Sequence, residues 1–180
     1  ISEIDNAIIE IDNEEVPIMD GSAFDVLKVF QSTKILKLPQ KRKYLKIKNK
    51  VELKDGERKI FIEPNELSLK IDFKLNYKNK VIGNQRNIVD FQLDDLVNVY
   101  KTRTFCLLED VEKIKKLGLA KGGNLQNALV VNEEKVLNDG GLRNEKEFVN
   151  HKILDLLGDF LLSGYRVLGK IVCYQGGHEL

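Results

Sequence analysis

The sequence predicts an α+β fold, a two-layer sandwich in which an antiparallel-rich sheet packs on helices, and three observations carry that prediction. Residues 45–77 alternate apolar and polar around an Asp55-Gly56 turn. Residues 144–161 repeat apolar positions with a helical period, and "RVLGKIVCY" at 166–174 is an apolar run of strand length. With 180 residues, 42% hydrophobic and 32% charged, the chain has the composition of a globular protein able to bury a core.

Each element follows in order. "IDNAIIEI", residues 4–11, is a short apolar run suited to a strand, and "VPIMDGSAF" follows with an Asp-Gly turn. Ser22 is placed to cap a helix that runs through Val26, Leu27 and Phe30 to Ser32, with Asp25 strengthening its start. After "KLPQKRK" the period becomes two: Leu45, Ile47, Val51 and Leu53 face one way and Lys46, Lys48, Lys50 and Lys54 the other, a half-buried strand. Asp55-Gly56 turns it into "RKIFIEP". "LSLKIDFKLNY" alternates from Leu67 to Tyr77, which predicts three antiparallel strands in a row. "FQLDDLVNVY" reads as a short helix. "RTFCLL", "EDVEKIKKLG" closed by Gly118, and "ALVV" read as strand, helix and strand, a small βαβ insertion at about 104–132. The longest helix starts at Asn144 with Glu147 as a capping-box pair and stops at Gly164, and "RVLGKIVCY" closes as a strand. The best boundary in the chain is the Pro39–Lys43 stretch.

The charges nearly cancel, 29 basic against 28 acidic, but they are unevenly placed. Residues 1–27 hold eight acids and no base, and residues 34–59 hold eleven bases against three acids. Such a run is a solvated strand face more often than a groove for phosphates. Two cysteines, Cys106 and Cys173, are too few for a disulfide framework and point to a reducing compartment, the cytoplasm. No apolar run reaches the roughly 18 residues that span a bilayer. A start at Ile1 and a stop at "GGHEL" give the chain the look of a fragment of a longer protein.

Chemistry concentrates in "HKILDLLGD". His151 and Asp155 stand four apart, so a helix puts both on one face, where they could ligate one metal ion. Two ligands are one short of the three that a catalytic zinc takes from its protein, and such pairs also arise on solvated faces. Asp159 extends the stripe, and carboxylates among so many apolar residues are costly unless paired or bound. His178, in "QGGHEL", is the other histidine available for acid or base work. Thr104 could offer a hydroxyl to an oxyanion or be an ordinary strand residue. "AKGGNLQN" lacks Walker spacing, and neither a G-x-S-x-G elbow nor H-E-x-x-H is present, which sets aside P-loop, serine-hydrolase and zincin chemistry.

Taken together, "IDNAIIEI", "EVPIMDGSA", "NQR", "RTF", "GLAKGGNLQNALVV", "VLNDGGLRNEKEFVNHKILDLLGD" and "GGH" resemble the UDP-3-O-acyl-N-acetylglucosamine deacetylase family, zinc hydrolases of lipid A biosynthesis. The resemblance implies two similar α+β domains with the active site between them. Residues 1–38 would end the first, and residues 39–180 would form the second with its insertion. It implies Zn²⁺ bound by His151 and Asp155, a third histidine ligand and a glutamate base in a segment preceding Ile1, and His178 as general acid polarised by Asp159. Thr104 would stabilise the oxyanion, Phe105 would meet the sugar, Lys152 would contact substrate, and the insertion would form an apolar passage for the acyl chain. The implied partner is an acylated UDP-N-acetylglucosamine, bound by a cytoplasmic monomer with no nucleic acid, and a transient membrane-surface contact stays open. The fragment itself, short of one ligand and the base, is expected to be inactive. The rival reading is a non-catalytic module using the basic hairpin 41–59 on nucleic acid or anionic lipid.

Overall fold

The computed structural model describes residues 2–118, 120–178 and 180. The elements run α1 (Phe24–Ser32), β1 (Tyr44–Lys46), β2 (Val51–Asp55), β3 (Arg58–Glu63), β4 (Leu69–Asn76), β5 (Asn84–Asp90), α2 (Val97–Tyr100), β6 (Phe105–Leu107), α3 (Leu108–Lys116), β7 (Leu129–Val131), α4 (Glu147–Leu161) and β8 (Arg166–Tyr174). The fold is α+β, as the periodicities predict. A main sheet in the order β2-β3-β8-β4-β5, with β1 paired along the start of β8, carries α4 on one face.

Register shows why that face is the core. Ile62, Ile171, Ile71 and Val89 lie side by side across four strands, and Ile60, Cys173, Phe73 and Asn87 form the next row. Against these rows α4 sets Phe148, Val149, Ile153, Leu156 and Leu157, all buried. Burying one such side chain contributes roughly 1.5–3 kcal/mol, so this contact holds the domain together. Asn87, the polar member of its row, donates from Nδ2 to Asn150 Oδ1 of α4 at 2.7 Å, and Gln85 Oε1 accepts the Val149 N–H at 3.3 Å.

The predicted row of three antiparallel strands is corrected. β2 and β3 do form the Asp55-Gly56 hairpin, but β8 lies between β3 and β4, antiparallel to one and parallel to the other. The Pro64–Ser68 connection is too long for a tight hairpin and lets a strand enter between its two ends. The single strand expected over 45–54 is two, because β1 pairs with β8 and β2 with β3. Nor is β2 half-buried, since Val51 is 63% and Leu53 53% exposed. β4 begins at Leu69, and Leu67 lies outside it, exposed. β5 was not anticipated, and the helix expected over 91–100 shrinks to one turn, α2. Residues 4–11 form no strand; no described strand pairs with them, and without a sheet edge an apolar run gains nothing from extension.

α1 begins at Phe24 with Ala23, not Ser22, as its N-cap; Ser22 lies one residue earlier, where its Oγ accepts the Phe24 N–H at 3.2 Å and Asp20 Oδ1 accepts from Ser22 N and Oγ. The insertion is a βαβ unit with β6 parallel to β7, and α3 places Glu109 and Asp110 at its start and three lysines in its last turn, matching the helix dipole. Gly118, at φ +74°, follows it. Both cysteines are free thiols, and burial pushes the Cys173 thiol up to about 11. No helix among the described residues is long and apolar enough to cross a membrane.

On the other face of β4, buried Asp72 accepts a fork from Arg86, Nε to Oδ1 at 2.8 Å and Nη2 to Oδ2 at 2.6 Å, which holds its carboxyl below the ordinary range. A depressed folded pKa adds stability above the unfolded value, about 3.9, that is lost as pH falls through the folded one. Asp72→Asn should cost about 1–3 kcal/mol at pH 7. It should also flatten the decline of Tm measured from pH 6 to pH 2; parallel curves for the two proteins would refute the assignment.

Candidate active site

Helix α4 carries Glu147, His151, Asp155 and Asp159 on one stripe, four residues apart. His151 is buried, and its Nδ1 lies 3.3 Å from the carbonyl oxygen of Thr102. A carbonyl only accepts, so Nδ1 carries the proton and Nε2 keeps a lone pair. That Nε2 lies 3.3 Å from Asp155 Oδ1. Burial lowers the His151 pKa and disfavours a second proton on the ring, so two electron-pair donors face each other across a gap suited to a shared cation. The donor set, one imidazole nitrogen and one carboxylate oxygen, therefore fits a metal ion such as Zn²⁺ in part. Among the described residues no group of three or more His, Cys, Asp or Glu side chains could hold such an ion. Lys152 Nζ donates to Asp155 Oδ2 at 3.0 Å.

The short β6 strand brings a second group to this helix face. The Phe105 ring meets Phe148 edge-on at 5.0 Å between centroids and His151 at 6.3 Å, and Lys152 Nζ lies 5.5 Å from the same ring. Thr104 precedes it with its backbone fully committed: its N–H donates to Gly21 O at 2.8 Å and its carbonyl accepts the Leu129 N–H at 2.8 Å. One turn beyond Asp155, Asp159 accepts from His178 Nδ1, with Oδ1 at 3.0 Å and Oδ2 at 2.9 Å. This pair joins two elements 19 residues apart and is open to solvent, the His178 side chain being 66% exposed. One cleft, about 450 Å³, is lined by Tyr77, Leu107, Lys152 and Gly176, and a second, about 550 Å³, by Leu53, Ile60, Phe160, Asp159 and His178. The structure thus brings His151, Lys152, Asp155 and Phe105 into contact, seats Thr104 beside Phe105, and pairs Asp159 with His178.

Glu147 and the arginines bonded to it, which the sequence did not place at the site, lie directly behind it. Glu147, expected to box the helix start with Asn144, is fully buried and accepts instead from Arg103 N, Nε and Nη2 and from Arg143 N, at 2.6–3.1 Å. Its place four residues before His151 was the available signal. The basic stretch, by contrast, carries its own counter-charges. Glu52 is bonded to Lys59 at 3.0 Å, Lys54 at 3.2 Å and Lys50 at 3.3 Å, and these pull its carboxyl down to about 2. Lys46 pairs with Glu66. Among the described residues the one aromatic ring against these lysines is Phe61, with Lys50 at 4.0 Å and Lys59 at 5.3 Å, so the hairpin reads as a solvated face.

Comparison with known proteins places the chain in a family. The family model described as UDP-3-O-acyl N-acetylglycosamine deacetylase matches residues 1–180. The UDP-3-O-acyl-N-acetylglucosamine deacetylase of Nautilia profundicola is 42% identical over 178 residues, covering 98% of this chain and 60% of that protein. The protein of the same name from Helicobacter pylori is 41% identical over 178 residues, with 98% and 60% covered. That of Shewanella violacea is 39% identical over 180 residues, with 98% and 58% covered. The chain spans about 60% of the length of the curated relatives it matches. A match that runs through every element of the site, from the Gly21 loop to His178, has one reading: the chain belongs to the UDP-3-O-acyl N-acetylglycosamine deacetylase family.

Proposed function

We propose that this chain forms the larger part of a zinc-dependent deacetylase that removes the N-acetyl group from an acylated UDP-N-acetylglucosamine, a step of lipid A biosynthesis. The observation that carries the reading is the 3.3 Å approach of His151 Nε2 and Asp155 Oδ1, with the Phe105 ring against His151 and the Asp159–His178 pair one helical turn on. His151 and Asp155 would hold Zn²⁺, with a third ligand supplied from outside these residues. When bound, the ion supplies Lewis-acid polarisation and a lowered pKa for water.

The chain's own residues do the rest. Thr102 holds the His151 ring by its Nδ1–H, so that Nε2 stays directed at the metal position. Water adds to the acetamide carbonyl and gives its proton to a glutamate outside these residues. The Thr104 hydroxyl donates to the oxygen on which negative charge develops. Asp159 accepts from His178 Nδ1–H, and the imidazolium form of that ring carries a second proton on Nε2, which passes to the leaving nitrogen as the C–N bond breaks, giving acetate and the free amine. Lys152 contacts the substrate and Phe105 packs on the sugar. Leu108, Val111 and Ile114 form an apolar stripe on α3, Leu108 exposed and the other two only partly buried among the described residues, which supports an acyl-chain passage in the insertion. Residues 1–38 close a first domain and residues 39–180 form the second; the protein works as a cytoplasmic monomer, with transient contact to the membrane that holds its substrate.

The test is acetate release from the acylated UDP-sugar by the full-length protein, with zinc content measured before and after chelation. Turnover that disappears with the metal and returns with added Zn²⁺ is expected. The isolated 180-residue chain, with two of three ligands and no base, should show none; turnover by that chain would sink the incomplete-site reading, and an inactive full-length protein would sink the deacetylase itself.

A further inference from the structure

Glu147 and Arg103 form the one fully enclosed acid–base pair among the described residues, with side chains 0% and 9% exposed. Such a pair is a poor way to gain stability, because the loss of water around both charges offsets most of their attraction, and apolar side chains would seat the helix as well. What the pair adds is direction. Arg103 donates a fork to Glu147, Nε to Oε1 at 2.9 Å and Nη2 to Oε2 at 3.1 Å, and its own backbone N–H also donates to Oε1 at 3.0 Å. The guanidinium reaches on to Gly141 O at 2.8 Å.

The neighbouring groups are held in the same way. Arg143 Nη1 donates to Lys101 O at 2.8 Å, and the Thr102 carbonyl faces His151 Nδ1 at 3.3 Å. Thr104 N–H is held by Gly21 and Thr104 O by Leu129. Residues 101 to 104 therefore have a backbone group fixed at every position. Two of the grips, on residues 102 and 103, come from His151 and Glu147, four residues and so about 6 Å apart along one face of α4. A segment held at two such points can neither slide along the helix nor rotate beside it.

We infer that Glu147, acting through Arg103, is a positioning residue that sets the distance between Thr104 and the His151–Asp155 pair; this rests on the deacetylase reading. Fixing an oxyanion donor to within a few tenths of an ångström is what a reaction of this kind demands of its supporting shell. A residue that merely holds α4 to the sheet would not need four convergent donors on one carboxylate.

A double-mutant cycle in the full-length, zinc-loaded protein tests it. Glu147→Gln should lower kcat about 10–100-fold with KM within about threefold and zinc content unchanged. In a Thr104→Ala background the same change should lower kcat less than about threefold, because the donor it positions is gone. Arg103→Lys, which keeps the charge and loses the fork, should behave like Glu147→Gln and serves where that variant fails to fold. Additive losses, or a lowered Tm with kcat unchanged, overturn the inference. A second readout is independent of turnover: the ¹⁵N signal of His151 Nδ1 should move in Glu147→Gln while that of His178 stays. A wild-type protein without turnover refutes the deacetylase reading, and the His151 signal then decides the positioning by itself.

Discussion

His151→Ala in the full-length protein is expected to release the zinc and to lower turnover by at least about a thousandfold. The change removes the neutral nitrogen donor of the pair and leaves Asp155 facing a methyl, with Lys152 still bonded to its other oxygen. Losing a Lewis acid worth several kcal/mol of transition-state stabilisation costs a factor of ten for each 1.36 kcal/mol, which sets the size of the effect. His178→Ala supplies the contrast. Its side chain touches Asp159 and no metal-binding atom, so zinc should stay bound while kcat falls about 10²- to 10⁴-fold, the usual worth of a general acid. Metal analysis alongside acetate release separates the two. Activity that survives His151→Ala would show the ligand assignment to be wrong, and zinc lost in His178→Ala would merge two roles held here to be distinct.

Gly21→Ala should have the next largest effect, although Gly21 lies in a loop far from the metal pair in sequence. Its φ is +80°, and a Cβ there would stand 1.8 Å from the carbonyl oxygen of Asn127. An alanine would carry about 1–2 kcal/mol of backbone strain and must also push the two segments apart. The loop would then lose the Gly21 O contact with Thr104 N–H, and the Asp20–Arg143 pair at 2.9 Å beside it. We expect destabilisation of about 2–4 kcal/mol, seen as a fall in Tm of roughly 5–15 °C, and faster hydrogen exchange at the Thr104 amide. Tm and exchange that both stay at the wild-type values would show that the loop is not a support for β6.

The parts that could be read from sequence are those whose signal is local. Helix α4, the βαβ insertion, the Asp55-Gly56 hairpin and strand β8 each carry their period, cap or turn within about 15 residues. β5 escaped because its inward positions, Gln85 and Asn87, are amides that bond to α4, so no apolar alternation marks it. The order of strands escaped because pairing β8 between β3 and β4 depends on residues about 100 apart. At the site, the helix stripe from His151 to Asp159 was visible in the spacing, whereas the roles of Thr104, Phe105 and Lys152 came from resemblance. The carbonyl of Thr102, the fork from Arg103 and the contact with Gly21 are long-range and leave no local mark. Glu147 did leave one, and its nearness to Asn144 directed it to a helix cap that the structure does not make.

The central place of β8 also governs how this chain can be made. Leaving the ribosome in order, it first yields two separate local hairpins, β2–β3 and β4–β5, each with an unpaired edge turned towards a gap. That gap closes only when residues 166–174, translated some hundred residues later, slide into it. Until then both edges are open to other chains, and neither hairpin is stable alone. Folding of this domain is therefore a late, nearly all-at-once event in synthesis, and a ribosome stalled anywhere before Arg166 holds a chain whose natural next partner is another copy of itself.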